Sequence, residues 1–131
     1  MKEEIAKTKF YEFGVDQAKN RVYFTLIGFW ASPNDVPNVY DDAMKAVDKV
    51  KPGYTILADL RDFKTPPNDV LKLTAKVQES LVKRGASKNA EVMDAKLVKF
   101  SMEKSADSSG LKTIPFRQFD NMAEAIAWLD K

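Results

Sequence analysis

The chain of 131 residues contains neither cysteine nor histidine. Without cysteine it forms no disulfide, no thiolate metal site and no thiol nucleophile. Without histidine it lacks the commonest general base near neutral pH and the commonest ligand of transition metals. Every Ser-His-Asp or Cys-His catalytic arrangement is therefore excluded. We expect a protein that is not an enzyme and that uses neither a metal nor a cofactor.

The sequence also lacks an excess of charge of one sign and any long apolar run. Its 21 basic and 19 acidic residues are interleaved and leave a net charge of +2. This disfavours a nucleic-acid binder, because such proteins gather Lys and Arg on one face. No apolar run approaches the ~20 residues of a membrane span, and the charged N-terminus does not resemble a signal peptide. We expect one cytoplasmic domain over residues 1–131.

What the chain does contain is an alternation of strand and helix patterns. Dense β-branched and aromatic residues, period-two alternation and turn residues predict strands at residues 9–15, 21–30, 54–63, 90–93 and 113–119. Apolar stripes with start and stop residues predict helices at residues 33–50, 66–85, 95–109 and 121–129. The third helix also fits a strand pattern, because Val98, Phe100 and Met102 alternate, but its length favours a helix.

This order predicts an α/β fold with an N-terminal β-hairpin, then alternating helix–strand units, in a mixed sheet of about five strands with four helices. Helix–strand alternation produces parallel strands joined by right-handed crossovers, and the hairpin adds an antiparallel strand. Asn121 followed by Glu124 is a capping-box pattern at the start of the last helix.

Three segments carry a resemblance to a known family. They are Gly28-Phe29-Trp30 at the end of one strand, Asp59-Leu60 at the exit of the next, and residues 119–129 around the last helix. With the order of elements, they make the chain similar to the STAS superfamily and, within it, to the stand-alone bacterial proteins called SpoIIAA-like. The resemblance implies a non-enzymatic regulatory or protein-interaction module, which contacts its partner at the loop and helix start after the central strand.

Members of the anti-sigma-antagonist kind carry a phosphorylatable serine in an Asp-Ser-Ser-Gly string at that helix start. Matching Asp59-Leu60 to the family's strand exit places Asn68 in the phosphoacceptor position and Asp69 after it, so the usual serine is missing. The same string occurs at residues 107–110, where the pattern predicts the end of the third helix. Ser and Asp before Gly are ordinary residues of helix termination, so we interpret this string as structural.

The junction after the central strand is therefore the predicted contact surface for a protein partner. Its candidate partner-binding residues are Asp59, Asp62, Thr65, Asn68 and Asp69. Each acid also has a structural interpretation, as a partner of loop amides or of the helix dipole. Thr65 is the only hydroxyl in the loop, and it is either a displaced phosphoacceptor or a plain turn residue.

A small-molecule carrier is the alternative function. Phe29 and Trp30 are its candidate ligand-binding residues, lining an enclosed pocket of ~300 Å³ or more for an apolar or lipid-like ligand. In the structural interpretation, both rings simply pack under the following helix. Two further alternatives remain: the ligand is anionic instead of apolar, or two copies of the chain pair through the exposed edge of the hairpin to form a homodimer. An enzyme that uses carboxylates alone ranks last, because no pair of acids has a recognisable spacing.

Overall fold

The computed structural model describes residues 2–131 as one six-stranded sheet covered by helices. The strands are β1 (Glu3–Lys7), β2 (Tyr11–Asp16), β3 (Arg21–Leu26), β4 (Thr55–Asp59), β5 (Lys88–Val92) and β6 (Phe116–Phe119). The α-helices are α1 (Val39–Val47), α2 (Asn68–Lys83), α3 (Lys96–Ser109) and α4 (Met122–Leu129), and short 3₁₀ helices occupy Pro33–Asp35 and Leu111–Thr113. The predicted α/β fold with a mixed sheet and four helices is confirmed.

The strands lie in the sheet in the order in which they occur along the chain. The strands β1, β2 and β3 are antiparallel neighbours, whereas β3, β4, β5 and β6 are parallel. Right-handed crossovers that always advance in one direction place α1, α2 and α3 on the same face of the sheet. The helix α4 packs on the opposite face, against Leu57, Ala90 and Val92.

The sheet has six strands where the sequence patterns predict about five. The additional strand, β1, lies in the charged N-terminal segment, whose alternation is weak because Ile5 and Ala6 are its only apolar residues. It pairs with β2 and contains an irregularity between Glu4 and Ala6. One alternative that the sequence leaves is a homodimer that forms at the exposed edge of the hairpin. That edge belongs to β2, and β1 covers it. A charged and irregular edge strand disfavours pairing with a second copy.

The predicted first helix begins later than expected. Ser32 caps a 3₁₀ turn, its Oγ accepting a hydrogen bond from the Asn34 N–H at 3.2 Å, and α1 begins only at Val39. The cause is Pro37, because a proline disfavours helical backbone in the residue before it. Val36 accordingly has φ −132° and ψ 58°. The ambiguous segment 95–109 is helical, and Gly110 ends it with φ +81°, as the sequence predicts.

The cap of α4 provides a test of the fold. Asn121 Oδ1 accepts a hydrogen bond from the Glu124 backbone N–H at 2.9 Å. We expect Asn121→Ala to lower the free energy of unfolding by about 1 kcal/mol, because it removes the acceptor. Urea denaturation followed by circular dichroism measures this loss. Asn121→Asp keeps the acceptor and is the matched control; equal losses in the two variants would contradict the assignment of the cap.

Candidate functional site

The loop after β4 is fixed by backbone hydrogen bonds to the segment after β3. The Gly28 N–H donates to the Asp62 carbonyl at 2.9 Å, and the Lys64 N–H donates to the Gly28 carbonyl at 3.0 Å. Gly28 has φ +72°, a left-handed conformation that glycine adopts without strain. Beneath the loop, Phe63 is buried with its ring 5.1 Å from that of Trp30. The junction is therefore a defined platform.

Asp59 is held by a neighbouring guanidinium. Arg61 Nε and Nη2 donate to the two carboxylate oxygens of Asp59 at 2.9 and 2.8 Å. Partial burial acts to raise the pKa of Asp59, but the hydrogen bonds and charge of Arg61 outweigh it and hold this pKa below its usual value. Because strand side chains alternate, Asp59 shares the face of Leu57, which α4 covers. The structure therefore separates Asp59 from Asn68 and Asp69, which lie on α2.

The other four candidate residues are exposed but do not converge on one point. Asp62 and Thr65 line a groove of about 540 Å³, bounded by residues 61–65 on one side and 95–98 on the other. We call this the junction groove. Asn68 lines a different groove, between α2 and α3. Asp69 lies in the first turn of α2, where its Oδ1 accepts from the Val70 N–H at 3.1 Å, in agreement with the structural interpretation.

Three large apolar side chains are exposed in the segments that follow the parallel strands β3 and β5. We call the edge of the sheet at which the parallel strands end the carboxyl edge. Leu97 is 69% exposed and lines the junction groove. Phe100 follows on the same side of α3 and is 67% exposed, and Phe29, directly after Gly28, is 50% exposed. Over residues 2–131 these three are the large hydrophobic side chains with half or more of their surface exposed. Of the three, Leu97 is the one that lines the junction groove, and an exposed leucine beside a groove is a candidate contact for a partner.

The junction groove has an excess of basic groups. It is lined by Arg61, Lys64 and Lys96, with Asp62 as the single acid. Within the part of the chain that the structure describes, neither Lys64 nor Lys96 forms an ion pair. The first turn of α3 contains no acid, and Ala95 provides no side-chain cap. The positive end of the α3 dipole therefore adds to the charge of the two lysines.

Phe29 and Trp30 do not form the predicted shared pocket. Trp30 is 1% exposed, and its Nε1 donates to the Phe10 carbonyl at 3.0 Å. It lines a cavity of about 60 Å³ in the core, and Phe29 is not among the lining residues. The ring of Trp30 is therefore buried in the core, whereas the ring of Phe29 is half exposed to solvent. The prediction of a carrier pocket is therefore wrong on two points. The cavity is lined by Trp30 without Phe29, and its volume is about 60 Å³ rather than the expected ~300 Å³ or more.

A buried polar layer lies between the sheet and the helices α2 and α3, and sequence patterns alone do not reveal it. Gln78 Oε1 accepts from Ser105 and Ser109 Oγ at 3.0 and 2.9 Å. Asn89 and Glu91 on β5 are 2% and 1% exposed. The only signal in the sequence is the spacing of the serines in α3, which recur every four residues beside apolar ones. Ser109 belongs to the Asp-Ser-Ser-Gly string, and its burial supports the structural interpretation of that string.

Glu91 is a carboxyl group in the core. Gln118 Nε2 donates to Glu91 Oε1 at 3.2 Å. Burial raises the pKa of Glu91 to about 7, even though hydrogen bonds with Gln118 and Asn89 act to lower it. The group is therefore largely protonated in mildly acidic solution and largely ionised in mildly basic solution.

Two further findings concern residues 2–131 as a whole. No helix in this range is long and apolar enough to span a membrane. The same residues contain no group of three or more acidic side chains arranged to hold a metal ion.

Comparisons with known proteins bear on the fold. No protein-family model matches the chain, and no curated protein matches it. A similar solved structure is that of an uncharacterized protein from the DUF3478 family with a SpoIIAA-like fold, from Shewanella loihica PV-4. The two chains are 14% identical, with a TM-score of 0.59 over 95% of this chain and 97% of that one. The predicted resemblance to the SpoIIAA-like fold is confirmed, and at this identity the likeness shows the fold alone.

The raised pKa of Glu91 makes stability depend on pH. Its pKa is about 7 in the folded protein against 4.5 for an ordinary glutamate, so the folded state binds the proton more tightly than the unfolded state. Stability should fall as pH rises from about 4.5 through 7 and then level off, with a total loss of about 3 kcal/mol. We expect Glu91→Gln to remove this dependence and to be more stable than the wild type at pH 8.

Urea denaturation at pH 5, 6, 7 and 8 measures this effect. Glu103→Gln is the matched control, because that exposed glutamate lies on α3 and its loss should leave most of the slope in place. A wild-type stability that does not change between pH 5 and pH 8, or a slope that Glu91→Gln retains, would show that burial does not perturb Glu91.

Proposed function

We propose that the protein is a cytoplasmic, non-enzymatic regulatory module that binds a protein partner at the junction groove. The observation that carries this proposal is the exposure of Leu97, 69% exposed, among the basic residues that line the junction groove. Exposing a large apolar side chain is unfavourable in water, and such a residue beside charged groups is a candidate contact for a partner. The SpoIIAA-like fold supports the proposal only as a scaffold on which such modules are built.

The charges of the groove indicate the chemistry of the partner. Lys64, Lys96 and the uncapped start of α3 attract anionic groups, whereas Asp62 is the only acid lining the groove. A partner segment with acidic side chains around an apolar anchor complements this surface: the anchor packs on Leu97 and Phe100, and the acids pair with the lysines. Such pairing at the rim of an interface favours specificity and fast association.

The residues expected at the junction have different roles in this proposal. Asp62 and Thr65 contact the partner directly, because they line the groove. Asp59 acts indirectly by holding Arg61. Asn68 and Asp69 lie at the start of α2, outside the groove. They contact the partner only if the bound segment of the partner extends beyond the groove.

Thr65 is the position for regulation by phosphorylation, if the module uses it. Its side chain is exposed in the groove that Lys64 and Lys96 also line. A phosphate on Thr65 would pair with these lysines and compete with the acidic groups of the partner. We therefore expect phosphorylation at this position to weaken binding.

Photo-crosslinking in cells of the source organism tests the proposed surface. A photo-reactive amino acid replaces Leu97 in one variant and Lys51 in a control; Lys51 is exposed and precedes β4, at the opposite edge of the sheet. We expect one defined protein to crosslink from position 97 and not from position 51. Reversing both groove lysines, Lys64→Glu with Lys96→Glu, should lower that yield about tenfold, which corresponds to about 1.4 kcal/mol of binding free energy.

Three results would contradict the proposal. They are the absence of a protein crosslink from position 97, an equal yield from position 51, and a yield that charge reversal does not change. Crosslinks to lipid alone would instead assign the exposed apolar residues to a membrane surface.

A further inference from the structure

We propose that the groove between α2 and α3 is a docking site for an acidic amphipathic helix of a protein partner. This groove, which we call the α2/α3 groove, has a volume of about 580 Å³. It shares no lining residue with the junction groove, so binding here is independent of binding there.

The floor of the α2/α3 groove is closed and partly apolar. The two helices lie side by side, and Thr74 Oγ1 of α2 lies 2.9 Å from Ser105 Oγ of α3 beneath the groove. Leu71 and Ala75 line the groove and are half-buried. A helix that packs on these two side chains would remove the rest of their apolar surface from water, which is favourable.

The rim of the α2/α3 groove carries lysines without an acidic partner. Lys72, Lys76 and Lys104 line the groove and are exposed. Among residues 2–131, none of the three forms an ion pair. Lys76 Nζ lies 5.2 Å from the centre of the Tyr40 ring, a contact that leaves its charge in place. The rim therefore attracts anionic side chains.

The acids near the groove are already paired with other cations. Glu79 is the acid in the lining, and its Oε1 lies 3.0 Å from Lys83 Nζ. On α3, Glu103 Oε1 and Asp107 Oδ1 each lie 3.0 Å from Lys112 Nζ, and Glu103 and Lys112 line a different groove beside β6. A helix that is merely solvated usually mixes both signs along one face. Here the unpaired charge that faces the α2/α3 groove is of one sign.

The walls of the groove indicate that the bound segment is helical. The N–H and C=O groups within α2 and α3 bond along their own helices, so the walls offer no backbone partners to an extended segment. Such a segment would bury its own backbone groups unpaired, whereas a helix pairs them internally. The lining of α2 extends from Asn68 to Glu79, which corresponds to about 16 Å or about three helical turns. An amphipathic helix of this length fits, with apolar side chains on the floor and acids at the rim.

Methyl NMR of the full chain tests the groove with a synthetic peptide. The probe has about 14 residues, with Leu at the i, i+4 and i+7 positions and Glu at most others, so that one face is apolar and the other acidic. We expect it to shift the methyl signals of Leu71 and Ala75. A second peptide, with Lys in place of each Glu, should leave these signals unchanged. Binding of the acidic peptide should weaken between about 0.01 M and about 1 M salt, because the Debye length falls from ~30 Å to ~3 Å.

Charge reversal at the rim tests the role of the lysines. Lys72→Glu with Lys104→Glu should weaken binding of the acidic peptide about tenfold or more, because the reversed charges repel it. Lys9→Glu with Lys51→Glu is the matched control. It changes the net charge by the same amount at exposed positions outside the groove, and it should leave the affinity unchanged.

A further variant separates this groove from the proposed partner surface. Lys64→Glu with Lys96→Glu reverses the charge of the junction groove, and it should leave the peptide-induced shifts of Leu71 and Ala75 in place. The peptide titration therefore gives its answer whether or not a protein crosslinks from position 97.

The proposal is overturned if the acidic peptide leaves the Leu71 and Ala75 signals unchanged, or if the basic peptide shifts them equally. Equal losses of affinity in the rim variant and its matched control would also overturn it. Vesicles that contain phosphatidylserine are the remaining probe: shifts of the same signals by vesicles and not by the acidic peptide would assign the groove to a membrane surface instead. The wild-type titrations decide the matter even if a variant does not fold.

Discussion

The arrangement of the whole molecule depends on one constraint, the unreversed order of the parallel strands β3 to β6. Right-handed crossovers between strands that advance in one direction must all lie on one face, which places α1, α2 and α3 together. In the described sheet the order of these strands never reverses. The crevice that open α/β sheets form at such a reversal, where they usually bind ligands, is therefore absent from it. A binding surface must be built in another way.

The same constraint gathers the segments that follow β3, β4 and β5 at the carboxyl edge. The Gly28 backbone bonds to Asp62 and Lys64 tie two of these segments together, and the start of α3 supplies Leu97 and Lys96 from the third. An exposed groove with apolar and basic side chains results at this edge. Within the core, the packing of α2 and α3 on β5 encloses a polar layer that includes Gln78 and Glu91. The outer groove and the inner layer are separate consequences of one topology.

Much of the fold is predictable from sequence because its signals are local. The stop at Gly110, the cap at Asn121 and the strand at the centre of the sheet depend on neighbouring residues. The strand β1 is not predictable in this way, since its charged sequence becomes a strand only by pairing with β2. The site is harder to predict: the loop after β4 is correctly placed at an edge of the sheet, but Leu97 reaches the groove from a segment some thirty residues later. The burial of Glu91 likewise depends on tertiary contacts, and strand alternation places Asp59 on the face that α4 covers.

The central claim is that the junction groove binds a partner segment whose apolar anchor packs on Leu97 and whose acidic side chains pair with Lys64 and Lys96. Its most direct test is the affinity of the crosslinked partner, once purified, for the wild type and for Leu97→Ser, measured by isothermal titration calorimetry. The account predicts at least a tenfold loss of affinity, because burying a leucine side chain contributes about 1.5–3 kcal/mol and a tenfold change in affinity corresponds to about 1.4 kcal/mol. Equal affinities of the wild type and Leu97→Ser would contradict it.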